Sequence, residues 1–483
     1  MEPCIPDVVW WGWELRSLLA EAAEGVAEEE CFQGLTIDSR KPAVGGIFVA
    51  LRGRTVDAHT KLPEAFAGGV KLAIVERRSW VHFPAEWHQR YRCLPVADPL
   101  KVLGELARLH RRRFALPVVA IAGSAGKTTT KELLASVLAT RFRVLKTAGN
   151  ENNALGVPLT LLQLRSEYEV AVVEIGTSSF GEVARLCQIA QPTHGVITAI
   201  GEEHLEQLGS LRGVQQEETA LVRYLQSRGG IAVLPAGSGL ERDYPGVRTF
   251  GMTPEADVMA EVAFTADGRA LLRLRYGAEH CECQLRLLGP AGARSAMAAA
   301  AAAWVLGLSA EETAQGLSAY DPQPSQEGYA RMVLMQLPNG IQVLNDTYNA
   351  NPLSMRVALE TLRQLPCCGR RWAVLGDMLE LGPALEEAHR TVLRQALESA
   401  EVVCVFGDAF ARVAADYPDV YIATSHEELA ERLWQEARPG DLVLLKGSRG
   451  MAMERVVGLY QQRVRMGKGS DVVPSGAVDL EDL

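Results

Sequence analysis

Nothing in this chain is long and apolar, long and basic, or evenly paired in cysteine, and each absence removes a class of function. The alanine-rich stretch AMAAAAAAWVLGL, at 296 to 308, is shorter than the about 20 residues a membrane span requires, which argues against stable membrane insertion. The opening MEPCIPDVVWWGWELRSLLAEAAEG has no basic segment followed by a long apolar run, so no signal peptide is expected. No lysine or arginine block exceeds a few residues and the formal net charge is -10, which argues against a nucleic-acid partner held by many phosphate contacts. Single small anions still fit, because a pocket can be positive inside an acidic protein. The 9 cysteines are odd in number and scattered, which points to a reducing compartment rather than a disulfide scaffold. These readings together describe a cytoplasmic protein, expected to be a monomer.

What is present is enough apolar residue, 48% over 483 positions, for about three domains of roughly 150 residues each. Residues 1–113 mix short strands, GIFVAL and KLAIVE, with glycine-rich charged loops and read as a small α/β domain. From 114 to 322, strand-like runs (LPVVAIAG, YEVAVVEIG, THGVITAIG, GGIAVLPAG) alternate with helical segments, the pattern of a doubly wound parallel sheet. Stricter alternation over 258–289 predicts hairpins at one edge of that sheet. Proline-bearing YDPQPSQEG reads as a linker, and 323–470 as a second, Rossmann-like α/β sheet whose strands end in polar residues. The last residues, 471–483, read as a disordered acidic tail.

The strongest motif is VAIAGSAGKTTTKELL. A buried strand enters Gly123, Ser124, Ala125, Gly126, Lys127, Thr128 and Thr129 and a helix leaves, so backbone N–H groups and a helix N-terminus face one point, as phosphate requires. The loop is shorter than the standard GxxxxGK[ST], whose first glycine would fall at Ile121. Lys127 would reach outer phosphates and Thr128 would place its hydroxyl on magnesium; the plain alternative is a glycine turn with a chance lysine. Glu174 ends a buried strand, where a carboxylate suits magnesium. His204 serves equally as ligand or as structural histidine. HCEC, at 280 to 283, has no second pair nearby to complete a zinc site. NDTYNANP, residues 345 to 352, spends more polar groups than a turn needs and reads as a surface closing over substrate or nucleotide.

Together with TIDSRKPAVGGIFVALRG, TAGNENNALGVPLTLL, VVEIGTSSFGE, EHLEQLGS, LGDMLELG and LLKGSRGMAME, these segments resemble the Mur ligase family over nearly the whole chain. Within it the C-terminal motifs look like the branch that adds D-alanyl-D-alanine to UDP-N-acetylmuramoyl-tripeptide; the DNPR of a relative is absent. The resemblance implies three domains, use of ATP and Mg2+, and an acyl-phosphate route to an amide. It places Asp38, Ser39 and Arg40 near the uridine nucleotide, Asn150 and Asn153 near metal or phosphates, and Thr177 and Ser178 near substrate. Thr128, Glu174, His204 and Glu218 would organise magnesium. Arg331, Asn345 and Asp346 would approach the nucleotide, and Tyr348, Asn349 and Asn351 would line the closed cleft. The chain departs from the family pattern in the ATP domain: Glu218 stands where a carbamylated lysine is usual, Ala199 replaces an asparagine, Glu203 an alanine, and GPAGARSA and AVLPAG replace two further motifs. Two alternatives stay open, a related ligase using another amine and a divergent scaffold with impaired ATP chemistry.

Overall fold

The computed structural model describes residues 3–53, 55–337 and 339–468, so the tail expected at 471–483 lies outside the described residues. Three sheets follow one another along the chain. The first has five strands in sequence order, Cys4–Trp11, Cys31–Thr36, Ile47–Val49, Leu72–Glu76 and Cys93–Val96, with only the first pair antiparallel. Asp98 then caps the helix Pro99–Arg111 by accepting from the N–H groups of Leu100 and Lys101. This helix carries the chain into the second sheet.

That sheet has nine strands and is built around Val118–Ala122, buried at every position and flanked by parallel neighbours Val170–Glu174 and His194–Ile197. A strand covered on both faces cannot alternate, and VVAIA does not. Chain order reverses on either side of it, and the crevice beyond the carboxyl ends at such a point is where open α/β sheets bind ligands. The far edge is an antiparallel ladder of Val258–Phe264, Arg269–Tyr276 and Glu279–Leu288, where the alternating sequence placed hairpins. On its exposed face Arg273 pairs with Glu261 at 3.2 Å and Glu282 at 2.8 Å, its register partners on the two neighbouring strands. The helix Ala310–Ala319 packs against the edge strand, and Glu279 accepts from the Ala310 N–H at 3.1 Å. The helix Gly289–Val305 is buried along its run of alanines, whose small side chains let it lie close on the helix Lys127–Leu138.

The third sheet, of six strands, orders as Val333–Gln336, Gln342–Asp346, Leu442–Lys446, Arg371–Gly376, Val402–Phe406 and Tyr421–Ala423. Its first helix, Pro352–Gln364, packs against Gly289–Val305 of the second unit, and Leu288 joins the third unit's core. Gly289 has φ +63, and a Cβ there would lie 2.4 Å from the Thr361 hydroxyl, so the two units meet backbone to side chain.

Two consequences are measurable. His110 is buried where the helix Pro99–Arg111 meets the second unit; its Nε2 donates to the Leu164 carbonyl at 2.9 Å, and burial pulls its pKa down to about 4. The unfolded chain, at the ordinary 6.5, takes up this proton first, so the contribution is intact above pH 6.5 and is lost as pH falls toward 4. Relative to His110→Gln, the wild type should lose about 3 kcal/mol of unfolding free energy between pH 7 and 4, as read by urea titration at each pH. In the third sheet Lys446 and Asp346 are register partners at adjacent strand ends, nearly inaccessible, and paired at 2.6 Å. Lys446→Met should cost about 3–5 kcal/mol in the same measurement, and adding Asp346→Asn should recover part of that, because the cost is a buried carboxylate left alone.

Candidate active site

The phosphate loop emerges from Val118–Ala122 at Gly123, with φ +122, and enters the helix Lys127–Leu138 through Gly126, with φ +84. A Cβ on Gly123 would lie 2.5 Å from the Thr198 hydroxyl, so the backbone and the lack of a side chain are both required there. Lys127 folds back over the loop and donates to the Gly123 carbonyl. Thr128, one residue on, donates its hydroxyl to Glu174 Oε1 at 3.0 Å. Glu174 sits at the end of the neighbouring strand because Val170–Glu174 and Val118–Ala122 are in register there.

Glu174 collects a second donor, Asn152 Nδ2 at 2.9 Å, and its Oε2 lies 3.7 Å from the buried ammonium of Lys131. Lys131 also donates to the Gly149 carbonyl, so it ties the helix to the loop carrying Asn150, Asn152 and Asn153. Asn150 and Asn153 both line the cleft, although Asn153 spends its Oδ1 on the N–H groups of Leu155 and Gly156. Thr177 and Ser178 line it on the far side, where Glu182 Oε2 gathers the Ser178 N–H at 2.6 Å.

Glu218 takes a place the sequence did not foresee. It is fully buried and does not line the cleft; its Oε2 accepts from the Gly123 N–H at 2.6 Å, beneath the loop. Burial raises its pKa above the ordinary carboxylate range; Lys127 opposes that shift and Glu203 adds to it. Glu203, noted in the sequence only as a departure, lines the cleft together with Glu174, Glu182 and Asp346 and lies 3.8 Å from Lys127 Nζ. Burial acts against the charge on Lys127, but Glu203, Glu218 and Glu174 together outweigh it and hold the ammonium above the usual lysine range. His204, with φ +48, turns its Nδ1 to Glu380 of the third unit at 2.5 Å.

The opposing wall comes from the third unit. Arg331 stacks its guanidinium 3.7 Å from the centre of the Tyr348 ring, and Tyr329 meets the same ring edge-on at 5.3 Å. Asp346 is held by Lys446 and by the Met332 N–H, and Lys446 also donates to the Asn349 carbonyl at 2.8 Å. Asn345 is not at the surface of the cleft: it is buried, donates to the Gly328 carbonyl at 2.9 Å and accepts from the Thr347 hydroxyl at 2.7 Å, so its work is to hold the turn. Asn351 caps the helix Pro352–Gln364 and donates to the Ser124 carbonyl at 3.2 Å.

These walls enclose a cleft of about 480 Å³. A second space of about 190 Å³ adjoins it, sharing Glu203, His204 and Asn349 and adding Glu380, Ser448 and Arg449. Asp38, Ser39 and Arg40 border neither; they form a turn of the first unit in which Arg40 grips Asp38 at 2.7 and 2.9 Å. Asn152, Lys131, Glu203 and Lys446 were missed in the sequence. The spacing of Lys131, four residues after Lys127 on one helical face, was the available signal.

The residues fit both a polyphosphate and a divalent cation. Glu174 Oε2, Glu203 Oε1 and Glu218 Oε1 are buried oxygens with no hydrogen-bond donor, acceptors left open around one loop. Among the described residues no group of three or more His, Cys, Asp or Glu side chains forms a metal cage. The Thr128 hydroxyl and the Glu174 carboxylate are hard oxygen donors of the kind magnesium takes, alongside oxygens of phosphate and water.

Residues 121–303 match the Mur ligase middle domain, and 330–449 match the Mur ligase, glutamate ligase domain. The chain is 32% identical over 440 residues to the UDP-N-acetylmuramoyl-tripeptide--D-alanyl-D-alanine ligase of Bacillus subtilis, covering 89% of this chain and 93% of the relative. It is 32% identical over 438 residues to the Escherichia coli protein of the same name, with the same coverage. The crystal structure of MurF from Acinetobacter baumannii superposes with a TM-score of 0.83 at 29% identity, covering 95% of this chain and all of that one. MurF ligase from Thermotoga maritima, in complex with ADP, gives 0.79 at 26% identity, covering 90% and 98%. In sequence and in fold, the chain belongs to the Mur ligase family.

Proposed function

We propose that the protein is an ATP-dependent ligase that joins D-alanyl-D-alanine to the peptide carboxylate of UDP-N-acetylmuramoyl-tripeptide, a step of peptidoglycan precursor synthesis. The observation that carries this reading is the pair of adjoining spaces between two units: a phosphate loop walls the larger, and polar residues of both units, among them Asn349, Glu380 and Ser448, line the smaller. The names of the relatives agree with it.

A carboxylate is a poor electrophile until one oxygen becomes a leaving group. Its oxygen attacks the γ-phosphorus of ATP, the bond to ADP breaks, and an acyl phosphate forms. The dipeptide amine then attacks the carbonyl carbon, gives up a proton, and phosphate leaves with the oxygen. Bringing two anions together is the electrostatic obstacle, and at 4 Å even two unit charges repel by about 4 kcal/mol near a protein surface. Lys127 offsets that charge from the loop and Arg331 from the opposite wall. Magnesium would be held by Thr128, Glu174 and His204 and would supply further charge neutralisation on the phosphates.

Glu218 would stand in for the family's modified lysine from beneath the loop, once cations entering the site draw off the proton that burial favours. Asp38, Ser39 and Arg40 would meet the uridine nucleotide on the first unit, and Tyr348 and Asn349 the substrate in the cleft. The three units are proposed to divide at 113/114 and 322/323.

Phosphate release from ATP should require magnesium and both substrates together, yield the pentapeptide product, and be unchanged by bicarbonate. Lys127→Met should lower kcat/KM by about 10²–10³-fold. A bicarbonate requirement would show that Glu218 does not stand in for the modified lysine. No release under any combination, with uridine nucleotide still bound, would leave a scaffold without ATP chemistry.

A further inference from the structure

The sequence reads Asn351 as one of several residues lining the cleft, but its bonds give it a different position. Its Oδ1 accepts from the Ser354 N–H at 2.8 Å and so caps the helix Pro352–Gln364. Its Nδ2 crosses to the other unit and donates to the carbonyl of Ser124, the second residue of the phosphate loop, at 3.2 Å. Ser124 is thereby fixed on three sides. Its N–H donates to the Ala199 carbonyl at 2.7 Å, and its hydroxyl exchanges bonds with the backbone of Gly201 at 3.0 Å. Leu353, two residues after Asn351, lies so close over Gly201 that a Cβ there would be 2.7 Å away.

The peptide bond is planar and trans, so the Ser124 C=O and the Ala125 N–H point to opposite sides of one plane. A carbonyl drawn toward the third unit turns the next N–H away from it. Among the described residues the Ala125 N–H has no partner, although Ala125 lines the cleft. An unpaired N–H in a glycine-bounded loop is a donor held for an anion.

We infer that Asn351 is a positioning residue: by holding the Ser124 carbonyl it sets the Ser124–Ala125 peptide plane, so that the docked third unit presents the loop's N–H group to phosphate. The inference rests on the reading that this loop holds the nucleotide. It makes docking of the third unit a condition for a well-formed phosphate site, with Asn351 as the link, because the same side chain that starts the helix also orients the loop.

Asn, Asp and Ser cap helices about equally well, which allows the two bonds of Asn351 to be separated. Asn351→Asp keeps the cap and turns an oxygen toward the Ser124 carbonyl. Asn351→Ser keeps the cap but is too short to bridge, and adds no charge. Asn351→Ser should melt within about 2 °C of the wild type, and in both variants hydrogen exchange in the peptide containing 123–126 should rise and ADP affinity with magnesium fall, each by roughly three- to tenfold. Unchanged exchange and ADP affinity in Asn351→Ser would overturn the inference. So would loss of both only in step with a lower melting temperature, which would leave Asn351 a helix cap alone. These readings need neither peptide substrate, so a failure of the ligase assay would fall on the proposed reaction and not on this link.

Discussion

The site is organised by an imbalance of charge. Three carboxylates, Glu174, Glu203 and Glu218, are buried around one loop, and each keeps an oxygen that no protein donor satisfies. Lys127 lies against Glu203 and Lys131 against Glu174, while burial leaves Glu218 favouring its proton. Such an arrangement is costly to an empty protein and would become favourable if cations and phosphates entered together. Neighbouring strand ends, the loop glycines and the asparagine loop are placed so that this unfinished charge sits at one point.

That point lies at a seam. The second unit supplies the loop and most of the carboxylates; the third supplies Arg331, the Asp346–Lys446 pair and the Asn351 amide. His204 and Glu380 meet across the seam at 2.5 Å, and the Glu206 N–H reaches the Glu380 carbonyl at 3.3 Å. Neither half is a complete site. The Gly289–Val305 helix, buried in the second unit and packed at its start against Thr361, gives the seam a rigid footing.

Much of this was legible from local sequence because it depends on local rules. An unbroken apolar strand, two glycines and a helix start announce a phosphate loop wherever they occur, and strict alternation over 258–289 announced the antiparallel edge. What was not legible depends on contacts between distant residues. Nothing near Glu218 in the chain says that its carboxylate will meet the Gly123 N–H, 95 residues away. Asn345 and Asn351 read alike within one polar run, yet one is buried holding a turn and the other crosses to a second unit. Periodicity identifies a buried face; it does not say which of several asparagines points through it.

The antiparallel edge has a bearing on how copies of the protein meet. A terminal strand of ten residues, Glu279–Leu288, offers a long template on which a foreign strand could extend the ladder. Against that, the row Glu261, Arg273 and Glu282 runs across the exposed face, and a helix of the same chain packs on the outermost strand. An approaching strand meets alternating charge, which it must desolvate before it can pair. The same ladder that widens the sheet thus discourages the protein from aggregating through it.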